Sequence, residues 1–465
     1  MRIWSTRTRA IAAAVGATAL SAGLLSGCST DSGKPDNRIT VWSLENLAPR
    51  MEVTKKITAA FEKRTGVQVD LVGVDEGQLP QLIMSAAAAG TLPDVIGGVP
   101  LASAWQMYDN DLIDTATTRR IVDELGRDTF QKNALAFTSD GGKSLAVPSD
   151  SWMQIVAYRK DMFEKEGLKA PDSYDAMLKA AKTLNRGKVN GASLASDPSD
   201  VFTQQSFEDL ALANGCKLVD TAGKVGLDSP QCRATFDAYG KLAGEYGPPG
   251  TQTVDSTRAT YFAGRSSMVV WSSMLLDELA GLRSDALPSC PECKDRDFLA
   301  DHTGIVTALK GPDGTEPAQF GEVASWTVTR DAEKDASAKF VEYLMGTGYA
   351  DWFGMAPEGK IPVRTGNAQD PKAYEKAWRA SEIGVGERKR LDAVYPAALL
   401  DQLYDGVGNM KRWGIKEGQG ALVGATLGEL PVPKSVGALT SGQISSAEAA
   451  REAAEEVEAL RTSLR

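Results

Sequence analysis

Histidine occurs once in the 465 residues, at His302. Ser–His–acid chemistry would hang on that one ring, and a metal site needing two imidazoles is excluded. Asp109, Asp111 and Asp114 are spaced like part of a calcium loop, but the glycine and closing glutamate of such a loop are missing. No metal and no cofactor is expected. Cys290-Pro291-Glu292-Cys293 has the spacing of a redox pair, which wants a strand before it and a helix starting at the first thiol. Leu287-Pro288-Ser289 precedes it and Lys294-Asp295-Arg296-Asp297 follows, so it reads as an exposed loop. What the chain has in supply is tryptophan, nine in all, several of them close to carboxylates.

The N-terminus sets the context for the cysteines. Arg2, Arg7 and Arg9 form a basic region, and Ala10 to Leu25 carries no charge. That run is short of the roughly 20 residues of a stable span. It ends in Leu25-Ser26-Gly27-Cys28, which resembles the lipobox of bacterial lipoproteins. The resemblance implies cleavage of residues 1–27 as a signal peptide, lipid on the Cys28 thiol, and a polar tether over 28–38. The alternative is a plain secretory peptide whose cysteine is incidental. No later apolar run reaches membrane-spanning length, so the expected location is extracytoplasmic, on the outer face of the cell membrane. Losing residues 1–27 removes three arginines and no acid, taking the charge from −10 to −13. So acidic a chain, without long basic runs, is a poor partner for nucleic acid or for an anionic membrane. Export means oxidation, and four cysteines then remain. Of three possible connectivities, the local one closes short loops and is preferred: Cys216 with Cys232, and Cys290 with Cys293.

At 465 residues a single core is too small a frame, and two domains are expected. Ile39 to Ser43 is a short strand. Val53, Ile57, Ala60 and Phe61 recur at helical spacing until Gly66, and Val67, Val69 and Leu71 alternate as a strand does. Leu79, Leu82, Ile83 and Ala86 make a second helical stripe closed by Gly90. Leu92 to Ile96 reads as the next strand, followed by a Gly97-Gly98 break. This βαβ alternation predicts a parallel sheet with helices on both faces, whose ligands sit beyond the carboxyl ends of strands. Those ends place Trp42, Ser43, Glu45, Gly98 and Ser103 near one rim. Near Val147-Pro148 the chain crosses into a second unit, with strands at Ile155–Tyr158 and Leu218-Val219. Val323–Val328 is a later strand, and Ile361-Pro362-Val363-Arg364 reads as a second crossing. Ser445-x-x-Glu448 is a capping box that opens a C-terminal helix.

Several segments together resemble the extracellular solute-binding proteins of ABC importers, in the group that takes carbohydrates. They are Gly90-Thr91-Leu92-Pro93-Asp94-Val95, Ala146-Val147-Pro148, Tyr158-Arg159-Lys160-Asp161-Met162-Phe163, and Glu166 through Tyr174. Ala213-Asn214-Gly215, Phe262 through Met268, Trp326-Thr327-Val328-Thr329 and Gly359 through Arg364 continue the match along nearly the whole mature chain. The resemblance implies a periplasmic-binding-protein-like α/β fold, with two lobes, a hinge and a central ligand cleft. The first lobe would take residues 39–147 and 318–363, and the second 148–317 and 364–465. Asp94 is then structural rather than a ligand contact. The implied role is a monomeric, lipid-anchored, non-enzymatic receptor that hands an oligosaccharide to the permease of an ABC importer.

A pyranose offers apolar C–H faces to aromatic rings and a rim of hydroxyls to carboxylates and amides. The resemblance puts Trp271 and Trp152 at the cleft, and Gln205 where the family contacts ligand. Trp42 ends the first strand, and Trp326 lies in an apolar strand where contact and core both remain open. Glu45, Asp150 and Glu322 stand next to those tryptophans at strand ends or crossings. Trp105 and Trp352 read as packing. Carboxylates near sugar platforms would also suit a polysaccharide-active enzyme, but hydrolysis takes two carboxyls at fixed separation, and nothing singles out such a pair. An exported thiol-redox protein using Cys290 and Cys293 is the third reading.

Overall fold

A computed structural model describes residues 37–464. Cys28, the apolar leader and the tether as far as Asp36 lie outside the described residues. Strand Arg38–Ser43 turns Ile39, Val41 and Ser43 inward and leaves the residues between them more exposed, the period-two pattern of a pleated strand. Helix Ala48–Thr65 opens with Pro49 in its first turn and stops at Gly66, whose φ of 77° suits a residue without a Cβ. Strand Gln68–Gly73 follows and pairs parallel with the first, on its outer side. Helix Leu79–Ala89 returns the chain, and strand Val95–Val99 pairs parallel on the inner side. The βαβαβ unit is therefore as expected, with one shift. The third strand begins at Val95, and Leu92-Pro93-Asp94 is the approach to it. Asp94 is structural: its carboxylate accepts from the backbone N–H of Thr40 at 2.7 Å and of Glu333 at 2.8 Å.

The two glycines read as a break are inside that strand. Gly97 is there because a Cβ would lie 2.2 Å from the ring of Trp326 on the neighbouring strand Gly321–Val328. That strand pairs antiparallel with Val95–Val99, and Gly97 stands opposite Trp326. Helix Lys334–Met345 and helix Leu101–Asp109 both pack on it.

Strand Val147–Arg159 joins two halves of the sheet. Over Val147–Met153 it pairs antiparallel with Gly321–Val328 on one edge, and at Asp150–Ser151 with the short strand Ile361–Pro362 on the other. From Gln154 onward its partners change: Met268–Ser272 takes one edge and Thr303–Val306 the other, both antiparallel. The crossing and the strand expected at Ile155–Tyr158 are one continuous element of 13 residues. Leu218-Val219 forms no strand; Val219 makes only an isolated bridge to Val225.

Around the second half, helix Val201–Ala213 packs on helix Pro230–Gly240, and the C-terminal helix Ser446–Ser463 packs on the latter. The expected capping box at Ser445 and Glu448 is formed. Disulfides join Cys216 to Cys232 and Cys290 to Cys293, the local pairing. Among the described residues no helix is long and apolar enough to cross a membrane.

Candidate functional site

Strand Val147–Arg159 projects alternate side chains to one side, so Asp150 and Trp152 share a face. Glu322 lies directly across from Trp152 on the adjoining strand. Leu44-Glu45 lies just beyond the carboxyl end of Arg38–Ser43, and Gly98 and Pro100 lie at and just beyond that of Val95–Val99. Helix Val201–Ala213 brings Gln205 from the second half of the molecule, and Met274 arrives from the end of strand Met268–Ser272. These residues, with Arg50, Glu76, Gly359 and Lys360, enclose a cavity of about 150 Å³.

Its charges are wired together. Lys360 is 3% exposed, with Nζ 2.5 Å from Glu45 Oε1 and 3.1 Å from Asp150 Oδ1, over the ring of Trp352. Asp150 Oδ2 accepts from Trp352 Nε1 at 2.7 Å and from Ser149 Oγ at 2.6 Å. Glu45 Oε2 meets Arg50 at 2.8 Å. Burial alone would push the Glu45 carboxyl up; Lys360 and Arg50 outweigh it and hold the group at about 2. On the other wall, Glu322 Oε1 accepts from the Leu101 N–H at the start of helix Leu101–Asp109, at 2.9 Å, and Oε2 pairs with Arg412. Arg412 also reaches Glu208 at 3.2 Å, and Glu208 in turn accepts from the Trp413 N–H at 2.7 Å.

Glu76 differs from these. It remains open to solvent at the rim, yet protein surrounds it on most sides, and neither an ion pair nor a side-chain hydrogen bond holds it. Burial, with the charges of Glu322 and Glu45, raises its carboxyl to about 7. The cavity thus presents one half-exposed indole, a carboxamide, and a ring of carboxylates held in fixed positions. Hydrogen-bond donors such as sugar hydroxyls meet acceptors there, and a C–H face meets Trp152.

Of the expected binding residues, Glu45, Asp150, Trp152, Gln205 and Glu322 line this cavity. Three tryptophans do not. Trp326 is 0% exposed, with its ring against Gly97, Trp352 and Phe340. Trp271 is 6% exposed; its Nε1 donates to the Val254 carbonyl at 3.0 Å, and its ring lies against Phe202 and beneath Arg258. Trp42 packs half-buried on the cluster that contains Val74, Leu79 and Ile83. Glu76, Arg50, Met274 and Lys360 were missed. Glu76 lies just past a strand's carboxyl end, where the sheet rule points, and Lys360 lies within the Gly359–Arg364 segment already singled out. Among the described residues no group of His, Cys, Asp or Glu is arranged to hold a metal ion. His302 caps its own helix, Nδ1 lying 2.9 Å from the Phe298 carbonyl oxygen, and stacks on the Phe298 ring.

The profile of a family described as bacterial extracellular solute-binding protein matches residues 56–381. A putative ABC transporter periplasmic-binding protein of Escherichia coli K12, YcjN, is 28% identical over 358 residues, covering 74% of this chain and 77% of the relative. Maltose-bound MalE3 of T. maritima superimposes with a TM-score of 0.68 at 19% identity, over 91% of this chain and 99% of that one. A sugar transporter from Arthrobacter chlorophenolicus with bound laminaribiose gives 0.68 at 16% identity, with coverage of 91% and 99%. The fold is thus that of periplasmic binding proteins: two α/β lobes, a hinge and a ligand cleft.

Proposed function

Because the chain belongs to the bacterial extracellular solute-binding proteins, we propose that it is the sugar-binding component of an ABC importer. It captures an oligosaccharide outside the cytoplasm and hands it to a membrane permease. The observation that carries this reading is the cavity on the crossing strand. There Trp152 offers a ring face, Gln205 an amide, and Glu45, Asp150 and Glu322 fixed oxygens. The names of the fold's neighbours, with maltose and laminaribiose among their ligands, support a sugar over other solutes.

The lobes run over residues 39–147 with 318–363, and 148–317 with 364–465. The change of pairing partners at Gln154, within Val147–Arg159, supports a crossing between lobes along this strand. A ligand favours closure only by touching both lobes, and the cavity draws Glu45 and Glu322 from one and Gln205 and Met274 from the other. Cys28 carries the lipid that holds the monomer at the membrane. The family is one of transport components, and the protein binds its sugar without cleaving it.

Incubation of the purified protein with a labelled glycan panel tests this. Retention of one or a few oligosaccharides, recovered unchanged, is the expected result. Release of shorter products would establish an enzyme instead, and retention of nothing would remove sugars as the cargo.

A further inference from the structure

One side chain outside the cavity touches the supports of three side chains that line it. After helix Ala397–Asn409 the chain passes through Met410-Lys411-Arg412-Trp413. The Lys411 N–H donates to the Gln319 carbonyl at 2.8 Å, and Lys411 bridges Phe320, just before strand Gly321–Val328. Gly321 has no room for a Cβ, which would lie 2.5 Å from Met410 Sδ. This close approach brings Arg412, 4% exposed, up to Glu322.

The Arg412 guanidinium makes three contacts. Nη1 donates to Glu322 Oε2, Nε donates to Glu208 Oε1 at 3.2 Å, and the cation lies 4.6 Å over the centroid of the Phe320 ring. Each contact leads to a different side chain of the cavity. Glu322 lines it directly. The Phe320 ring centroid is 5.8 Å from that of Trp152. Glu208 follows Gln205 by three residues on helix Val201–Ala213, so the two share a face. Asp209, the next residue, accepts from the Phe320 N–H at 3.0 Å and ties that helix to the same ring.

Stability alone does not account for this network. Arg412 Nη2 and Glu208 Oε2 are buried without a hydrogen-bond partner. Replacing a buried ion pair by apolar side chains of similar volume often leaves a protein as stable or more so. What an arginine supplies here is direction. Its rigid planar fork holds two carboxylates and lies flat on a ring at once, which a flexible chain ending in an ammonium cannot do.

We propose that Arg412 is a positioning residue of the sugar site: it fixes the Glu322 carboxylate and, through Phe320 and Glu208, the Trp152 ring and the helix that carries Gln205. The role deepens the sugar-receptor reading and rests on it, since Arg412 acts through these side chains and does not line the cavity.

Arg412→Lys keeps the charge and removes the fork. Its first readout needs no ligand: fluorine NMR of protein labelled with 5-fluorotryptophan, the Trp152 signal being identified by its loss in Trp152→Phe. The expected result is a shifted or split Trp152 signal, while that of Trp271, packed on Phe202, stays in place. An unmoved Trp152 signal overturns the role, whatever the cargo. The second readout is calorimetry with maltose, maltotetraose and laminaribiose. Affinity for the sugar that the parent binds should fall about ten-fold in Arg412→Lys. In a Trp152→Ala background the same substitution should cost less than about three-fold, because one of the groups it acts through is gone. Equal losses in both backgrounds would mark a general structural effect and overturn the role, as would parental affinity in Arg412→Lys. If the lysine variant does not fold, Arg412→Met with Glu208→Gln removes the buried cation together with one of its partners and is read in the same way. A moved Trp152 signal in a protein that binds none of these sugars supports the positioning and counts against the sugar reading.

Discussion

Glu76 and Glu45 face the same cavity and titrate in opposite directions, which makes the site's electrostatics separable by pH. Glu45, held at about 2, contributes stability that is present above the ordinary carboxylate range and is lost as pH falls toward 2. Glu76, raised to about 7, is the reverse: its contribution is favourable at low pH and is lost as pH rises through 7. Glu76→Gln removes that second dependence alone. The melting temperature of the variant minus that of the parent should rise between pH 5 and pH 8, and a flat difference would show that the carboxyl is not strained. Trp271 belongs to the core by its neighbours. The expectation that it forms a sugar platform is replaced by one of packing, so Trp271→Ala should cost about 3–5 kcal/mol in denaturant unfolding. A loss below about 1 kcal/mol would return it to the surface. Its place was hidden because Met268-Val269-Val270-Trp271 is an unbroken apolar run, which tells of a strand buried on both faces and not of which side meets the cleft. Trp326, which the sequence left open between contact and core, is fully buried. Glu45, Asp150 and Glu322 could be singled out only by their nearness to tryptophans at strand ends or crossings, and the structure brings all three to the cavity.

At the scale of elements, the parallel unit over residues 38–99 could be read from alternation and helical stripes, since the glycines at 66 and 90 close its helices plainly. Gly97 was harder. A glycine pair in a sequence reads as a turn, and only the neighbouring strand, 229 residues later, brings the indole that makes a side chain impossible there. Gly97→Ala should therefore destabilise the fold by about 1–3 kcal/mol through overpacking, although alanine has the better intrinsic conformational preference. An unchanged unfolding midpoint would mean that the Trp326 ring moves freely. The crossing strand was seen only at its two ends, because the change of pairing partner at Gln154 leaves no mark on the amino-acid pattern.

For the whole molecule, a cleft between two halves joined by few strands costs little to open and close, and a ligand touching both sides selects the closed form. The lipid proposed on Cys28 is tested at the same scale. Cys28→Ala should give a protein that is no longer processed and lipid-modified and that is lost from the washed membrane fraction; a processed, membrane-bound variant would contradict the anchor. The central claim is that sugar binds on the crossing strand. Trp152 is the aromatic side chain that lines the cavity, and stacking on a ring contributes about 1–2 kcal/mol, a factor of roughly ten or more in affinity. The measurement that bears on this most directly is calorimetric titration of Trp152→Ala with the oligosaccharide retained by the parent protein. The account predicts affinity reduced ten-fold or more with the melting temperature of the ligand-free protein nearly unchanged. Undiminished affinity would contradict it.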